Sequence, residues 1–243
     1  MKKIKSVLQL MLALIIATAL FSCGGSATKN TGDTTKAHDS SASAKAATPA
    51  AMAAPFDVIE ITHTVKDYAA WRPGFDSDST ARKAAGMQDI TVGRGVDSAN
   101  RLLVVLKLSD VAKAKAFAAD PRLKDAMTKS GVISKPDVEY FHVIRFNGNT
   151  HEKQWVIVTH KVKDFDAWVK VYDGEGTAKR ASEGMVDVAL ARGIDDPNLV
   201  HIVFDITDMA KAKAAIFSDE KKKLMTSAGV IGVPLIQFYT DAQ

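Results

Sequence analysis

Apolar and polar residues alternate along two stretches of this chain that nearly repeat each other. In the first stretch, every second residue from 59 to 65 is apolar or histidine: Ile59, Ile61, His63 and Val65. The matching residues of the second stretch are Val156, Val158, His160 and Val162. A period of two with one apolar side predicts a β-strand that buries one face.

Each alternating run is followed by residues that typically start and end a helix. Asp67 and Asp164 come directly after the predicted strands, where a carboxylate can accept hydrogen bonds from the first helical turn. We expect the helices to end at Gly86 and Gly184, because glycine readily takes the left-handed conformation that closes helices. The Pro73–Gly74 pair should bend the first helix, and the equivalent helix of the second stretch should be straighter.

The rest of each copy is predicted to form a hairpin, a second helix and a final strand. In the first copy we predict strands at 89–95, 101–108 and 138–146, and a helix from Asp110 to Gly131. In the second copy we predict strands at 187–193, 199–206 and 235–239, and a helix from Asp208 to Gly229. A short polar turn separates the first two strands in each list, which favours a hairpin.

The two copies match along their whole length at a nearly constant offset. The offset is 97 residues from His63 to His160 and 98 residues from Pro136 to Pro234. Such a long match indicates a duplication of one unit with the order strand, helix, strand, strand, helix, strand. That order is the ferredoxin-like βαββαβ arrangement, of the α+β class. Because helices cover one face of each sheet, we expect the two copies to pack sheet to sheet and cover the other.

With this element order and repeat, the chain resembles the dimeric α+β barrel superfamily, with two protomers fused in tandem. We place the first repeat at 56–148 and the second at 153–241. The resemblance implies an internal pseudo-dimer, so we expect the protein to be a monomer.

The first residues have the layout of a bacterial export signal. Lysines precede a mostly apolar run from Leu8 to Phe21, which is shorter than the roughly 20 apolar residues of a comfortable membrane-spanning helix. The segment Leu20-Phe21-Ser22-Cys23 resembles a lipobox, the motif that precedes the lipidated cysteine of bacterial lipoproteins. We therefore predict a signal peptide at 1–22 and a lipidated Cys23 with a flexible linker over 23–55.

Cys23 is the only cysteine of the chain, so the folded part must rely on its core and not on disulfides. An ordinary signal peptide cleaved elsewhere, with an incidental cysteine, is the alternative interpretation. Gly24 stands after the cysteine in place of Asp, which resembles lipoproteins sent to the outer membrane. We expect a location in the bacterial cell envelope, anchored by lipid to the outer membrane and facing the periplasm.

The net charge argues against nucleic acid as a partner. The formal charge is +4, and Lys2, Lys3 and Lys5 all lie in the predicted signal peptide, which has no acidic residue. Without them the chain carries a charge of +1. A nearly neutral protein lacks the basic face that neutralises phosphates, so we expect no nucleic-acid binding.

Each copy brings the same candidate ligand-binding residues near its first strand and helix: His63, Trp71 and Arg94, and His160, Trp168 and Arg192. Histidine suits proton transfer near neutral pH, and tryptophan can stack on a flat ligand. The same residues could instead belong to the core, as a histidine bonded to backbone and a tryptophan that only packs. Each copy has one matched histidine and no close His or Cys spacing, so we expect no metal, and no sequence motif indicates a cofactor.

The glycines beside Arg94 and Arg192 allow two interpretations. They could expose the guanidinium group to an anionic ligand, or they could permit a bulge in an edge strand, and we favour the bulge.

Two classes of function fit these features. The first is an envelope-anchored lipoprotein that binds a small, partly aromatic ligand or a protein partner. The second follows from the resemblance, because the barrel superfamily includes cofactor-independent monooxygenases and haem-degrading enzymes with pockets between sheet and helices. It is a monooxygenase-like or isomerase-like enzyme acting on a small aromatic substrate. We favour the binding protein.

Overall fold

The computed structural model describes residues 55–150 and 152–242. The predicted signal peptide, Cys23 and the predicted linker up to residue 54 lie outside the described residues. Within the described ranges, no helix is long and apolar enough to cross a membrane.

Both copies have the predicted order of elements, with each predicted helix divided into two. The first copy consists of β1 (Phe56–Thr64), α1 (Tyr68–Ser77), α2 (Ser79–Ala84), β2 (Met87–Gly95), β3 (Arg101–Leu108), α3 (Val111–Ala118), α4 (Pro121–Lys129) and β4 (Asp137–Phe146). The second consists of β5 (Gln154–Val162), α5 (Phe165–Glu175), α6 (Thr177–Ser182), β6 (Met185–Gly193), β7 (Leu199–Ile206), α7 (Met209–Ile216), α8 (Asp219–Ser227) and β8 (Val230–Asp241).

The predicted helix caps are confirmed. The Asp67 carboxylate accepts from the Ala70 N–H at 2.8 Å, and the Asp164 carboxylate accepts from the Ala167 N–H at 2.7 Å. Gly86 has a φ of +76° just after α2, in the left-handed region that only glycine enters without strain. The sequence therefore determined where each first strand gives way to a helix.

The Pro73–Gly74 pair does not break α1, and the equivalent helix of the second copy is interrupted as well. Pro73 lies inside α1, and the helix of the first copy breaks later, at Asp78. The second copy breaks at the equivalent place, at Gly176, where φ is +82°. Both copies thus share one break, and its position does not depend on the proline.

A buried arginine explains the break. Arg82 donates to the Phe75 carbonyl oxygen at the end of α1 at 2.6 Å, and it pairs through two hydrogen bonds with Asp89 on β2. Arg180 does the same in the second copy, with the Tyr172 carbonyl oxygen at 2.9 Å and with Asp187. A planar guanidinium group can satisfy a helix-end carbonyl and a carboxylate together, so the chain ends the first helix where the arginine enters.

The eight strands form one closed barrel in the order β1-β3-β2-β8-β5-β7-β6-β4. Each copy contributes four consecutive strands, and the two sheets join at both edges by antiparallel pairing of β2 with β8 and of β4 with β6. Gly93 lies opposite Asp241 at one seam, and Phe141 lies opposite Gly193 at the other. The predicted sheet-to-sheet packing is confirmed, and hydrogen bonds at both edges complete it.

Two details of the strands differ from prediction. β8 begins at Val230, five residues before its predicted start, because Gly232 and Pro234 lie within a strand that shifts register against β5. The bulges favoured beside Arg94 and Arg192 lie earlier, between Asp89 and Thr91 in β2 and between Asp187 and Ala189 in β6. Gly93 is needed for another reason, since a Cβ there would lie 2.6 Å from the Trp155 ring.

Because side chains alternate along each strand, the two faces of each sheet contribute to two different apolar cores. One face of each sheet packs under its own helices and forms the larger apolar clusters, with Ile59 and Leu106 in the first copy and Val156 and Phe204 in the second. The other face of both sheets points into the barrel, where Leu103 packs with other interior side chains. The sheets therefore have two distinct buried environments, one under the helices and one inside the barrel.

Candidate functional site

The predicted histidines and tryptophans lie on the helix-covered side of the sheets. The rings of His63 and Trp71 have centroids 5.5 Å apart, and those of His160 and Trp168 are 5.4 Å apart. All four side chains are buried. The strand end and the Asp-capped helix thus bring each pair together, as the spacing predicted.

Both histidines are buried without hydrogen bonds. Neither ring nitrogen of His63 or His160 has a hydrogen-bond partner, so the interpretation of a histidine bonded to backbone is wrong. Burial lowers the pKa of each from 6.5 to about 4, and electrostatic interaction with the nearby His201 adds a smaller decrease in the pKa of His160. The imidazoles are therefore neutral at pH 7.

A small cavity lies beside the second pair. It has a volume of about 60 Å³ and is lined by His160, Trp168, Tyr172 and Arg180, among others. Burial, together with the nearby Asp187 carboxylate, raises the pKa of Tyr172, so its phenol stays protonated. Since a water molecule occupies about 30 Å³ of liquid, this space holds a few water molecules but no aromatic ring system.

Arg94 and Arg192 do not enter that cavity. Each arginine donates from Nε to a carbonyl oxygen of the hairpin turn that follows it, at 2.8 Å to Ala99 and 2.8 Å to Pro197. Their guanidinium groups lie over the rings of Tyr68 and Phe165 at the starts of α1 and α5. These contacts fix the turns, and the structure does not bring the arginines and histidines to one enclosed site.

A much larger cavity lies inside the barrel, between the faces of the two sheets. Its volume is about 490 Å³. The walls are mostly apolar and include Val58, Leu103, Val105, Trp155, Ile157 and Val203. Gly148, in the connection between the copies, is exposed and also lines the cavity, which therefore reaches the surface there.

The cavity has a polar end formed by residues from both copies. His201 Nε2 lies 3.1 Å from a carboxylate oxygen of Glu60, and His201 Nδ1 lies 2.9 Å from the Thr159 hydroxyl oxygen. The His201 ring stacks on Phe141, with centroids 4.2 Å apart. The stacking and the Thr159 contact hold the imidazole in place, with its Nε2 edge directed to Glu60.

The opposite end of the cavity is also acidic. Asp205 is buried on β7, and it accepts from the Glu152 N–H at 3.2 Å. It lies four residues along the strand from His201, which corresponds to roughly 13 Å. In the described part of the chain, no three His, Cys, Asp or Glu side chains converge to hold a metal ion.

The polar end breaks the symmetry of the duplication. At the observed offsets, Ile157 is the counterpart of Glu60, and Leu103 is the counterpart of His201. Leu103 and Ile157 belong to one apolar cluster inside the barrel. The same two positions thus hold an acid and a histidine in one half of the barrel, and two aliphatic side chains in the other.

Sequence reasoning missed this cavity and its residues. The motif containing His63 and Trp71 directed attention to the helix-covered face, whereas Glu60 belongs to the other side of the same strand. One signal was present, because His201 stands in an apolar strand at a position where the first copy has Leu103. A polar residue that replaces an aliphatic one at a buried position of a repeat is unusual, since burying it costs free energy.

The buried histidines predict a loss of stability in acid. Their folded-state pKa values lie below 6.5, so the unfolded chain binds protons more readily than the folded protein. The free energy of unfolding therefore decreases as the pH drops from 6.5 to 4. We expect a loss of about 3 kcal/mol per histidine over this window. His63→Phe and His160→Phe should each remove one such loss, and the double variant should remove both, in urea titrations at pH 7 and pH 4. Variants that keep the full decrease of the parent protein would contradict this account.

No protein-family model matches the sequence, and no curated protein matches it significantly. Among solved structures, the chain is similar to an anthrone oxidase-like protein, with 15% identity and a TM-score of 0.53 over 77% of this chain and 92% of that chain. It is also similar to a candidate monooxygenase from Fusobacterium nucleatum subsp. nucleatum, with 11% identity and a TM-score of 0.52 over 79% and 94% of the two chains. These identities show the fold alone. The chain has the dimeric α+β barrel fold, with two ferredoxin-like repeats in one polypeptide.

Proposed function

We propose that this protein binds one small, largely apolar molecule inside its barrel and does so at the bacterial cell envelope. The observation that supports binding most strongly is the cavity of about 490 Å³ between the two sheets. Pockets for small ligands typically measure about 300–1,000 Å³ and combine apolar walls with a few polar groups. The barrel cavity has both properties, with aliphatic walls and the polar pair of Glu60 and His201.

The choice of the barrel interior over the predicted histidine pockets rests on size. The cavity beside His160 and Trp168 has about 60 Å³, against about 490 Å³ inside the barrel. A ligand with one or two rings fits the second space without movement of the protein. The same ligand could enter the cavity beside His160 and Trp168 only if the packed side chains of α5 and the sheet separated, which would break core contacts.

The envelope location is supported by the sequence features of the first residues. A charged start, an apolar run and the lipobox-like segment before Cys23 favour export and lipid attachment. Lipidation would place the barrel at the outer membrane, on the periplasmic side, where it would meet small apolar molecules that pass through the envelope.

Replacement of the cysteine tests the anchor. We expect the parent protein, expressed with its full leader in a bacterium, to enter the detergent phase, because acyl chains on Cys23 supply apolar surface. Cys23→Ala should move the protein to the aqueous phase in detergent phase partitioning. Ser22→Ala keeps a small residue before the cysteine and serves as a control that should partition like the parent. A Cys23→Ala protein that still enters the detergent phase would contradict the lipid anchor.

A cofactor-independent monooxygenase-like or isomerase-like activity on a small aromatic substrate is the alternative proposal. One observation favours it: neutral His160 has both ring nitrogens free of hydrogen bonds and lines the smaller cavity, which an aromatic substrate could enter only if α5 moved away from the sheet. A neutral imidazole is a competent general base. Oxygen uptake by the purified protein with anthrone-type aromatic substrates, abolished in His160→Phe, would support an oxygenase. If the purified protein neither oxidises nor isomerises these substrates, the result would contradict the enzymatic alternative and favour binding as the function.

Filling the barrel cavity tests the binding proposal. Ala189 lines the cavity, and Ala189→Phe should occupy space that a ligand needs. We expect the parent to bind the neutral fluorescent probe N-phenyl-1-naphthylamine with an increase in emission, and Ala189→Phe to weaken its affinity at least about tenfold. Ala210→Phe, on the exposed side of α7, is the matched control and should bind like the parent.

Circular dichroism and the melting temperature must show that the filled variant is folded. A folded Ala189→Phe protein with the affinity of the parent would contradict binding inside the barrel, and so would a parent protein that binds no apolar probe.

A further inference from the structure

The charged residues that line the barrel cavity all have one sign. They are Glu60, Glu152, Asp205 and Asp241, and none of the lining residues that the structure describes is Lys or Arg. His201 is the single basic side chain among them. A cavity with aliphatic walls and only carboxylates as formal charges attracts cations and repels anions.

Glu60 is the carboxylate beside His201 at the polar end of the cavity. Its side chain is 11% exposed, and it lies beside Val58 and Val105, which also line the cavity. Glu139 stands directly opposite Glu60 on β4, which adds a second acidic group near this end. Burial, followed by the nearby carboxylates of Asp137 and Glu60, raises the pKa of Glu139, as expected where negative charge accumulates.

His201 satisfies the hydrogen-bonding capacity of the Glu60 carboxylate only in part. Its Nε2 is 3.1 Å from the Glu60 carboxylate, but the direction is not that of a hydrogen bond, and this nitrogen counts among the buried atoms without a partner. His201 itself is 3% exposed. A buried polar atom without a partner, next to a carboxylate that can accept several hydrogen bonds, marks a place where a ligand group is missing.

We propose that the cavity takes an organic cation: one apolar molecule that carries a protonated amine, with the amine at Glu60. This inference rests on the proposed function and names the ligand class of the same site. The ammonium group donates to the Glu60 carboxylate, while the apolar part extends along Val105, Ile157 and Val203 toward the surface opening. Asp205 and Glu152 at the outer end favour the entry of a cation over that of an anion.

The broken symmetry determines the number of ligands. In the other half of the barrel, Ile157 and Leu103 occupy the positions of Glu60 and His201, and aliphatic side chains offer no acceptor to an ammonium group. The duplication therefore supplies no second copy of the Glu60 site. We expect one ligand per chain, although the fold contains two copies of the same unit.

Three probes that differ in one group test the ligand class on the full chain. They are 4-phenylbutylamine, 4-phenylbutan-1-ol and 4-phenylbutanoate, titrated at pH 7 by isothermal calorimetry. We expect the amine to bind with one site per chain and about tenfold tighter than the alcohol, because a hydrogen bond between charged groups exceeds one to a neutral hydroxyl by about that factor. The butanoate should bind more weakly than the alcohol.

Two variants test whether Glu60 is responsible for the preference for the amine. Glu60→Gln keeps the shape and should bring the amine to the affinity of the alcohol, while the affinity of the alcohol stays within about twofold. Asp125→Asn removes an exposed carboxylate of α4 outside the cavity and should leave the preference for the amine intact. If Glu60→Gln does not fold, the comparison of the three probes on the parent protein still decides the ligand class.

The outcomes separate the two proposals. If the alcohol binds and the amine has no advantage, or if the butanoate binds best, the cation inference is overturned while binding in the barrel stands. If a folded Glu60→Gln protein keeps the preference for the amine, the assignment to Glu60 is overturned. If none of the three probes binds while N-phenyl-1-naphthylamine does, this inference fails and binding in the barrel stands; if that probe does not bind either, both fail.

Discussion

The structure depends on closing two sheets that are each incomplete. A four-stranded ferredoxin-like sheet covered by helices on one side has a bare apolar face and two edges with unpaired backbone groups, and both are costly in water. The two copies remove both costs at once, because β2 pairs with β8, β4 pairs with β6, and the bare faces enclose a common interior. Two copies of the unit are therefore required to close the barrel, and each copy supplies what the other lacks.

Closure also creates the cavity. The strands of a barrel hold the two inner faces apart, and the side chains here are too small to fill the space, since Ala189, Ala191 and Gly193 occupy most of the inner side of β6. The chemistry of the cavity then comes from residues on different copies, because Glu60 belongs to β1 and His201 to β7. A function of the barrel interior is thus a property of the joined pair of repeats.

The parts of the fold that depend on local chemistry could be predicted from the sequence, such as the strand ending at His63 and the helix capped by Asp67. The breaks that follow α1 and α5 could not, because they depend on a buried arginine, as where Arg82 reaches Asp89 on another element. The sequence pattern also pointed to the helix-covered face and not to the barrel interior, for a similar reason. A period of two shows which residues share a face, but it does not show that Glu60 will meet His201, 141 positions later in the chain.

The most direct measurement of the central claim is a titration of methyl-labelled protein with N-phenyl-1-naphthylamine, followed by NMR. Val58, Val105 and Val203 line the barrel cavity, whereas Val156 and Val158 face the helices on the other side of the sheet. The account predicts that ligand-induced shifts and contacts from ligand protons to methyl groups concentrate at the first three valines. Contacts confined to Val156 and Val158, beside His160 and Trp168, would contradict binding in the barrel and would favour the pocket between sheet and helices.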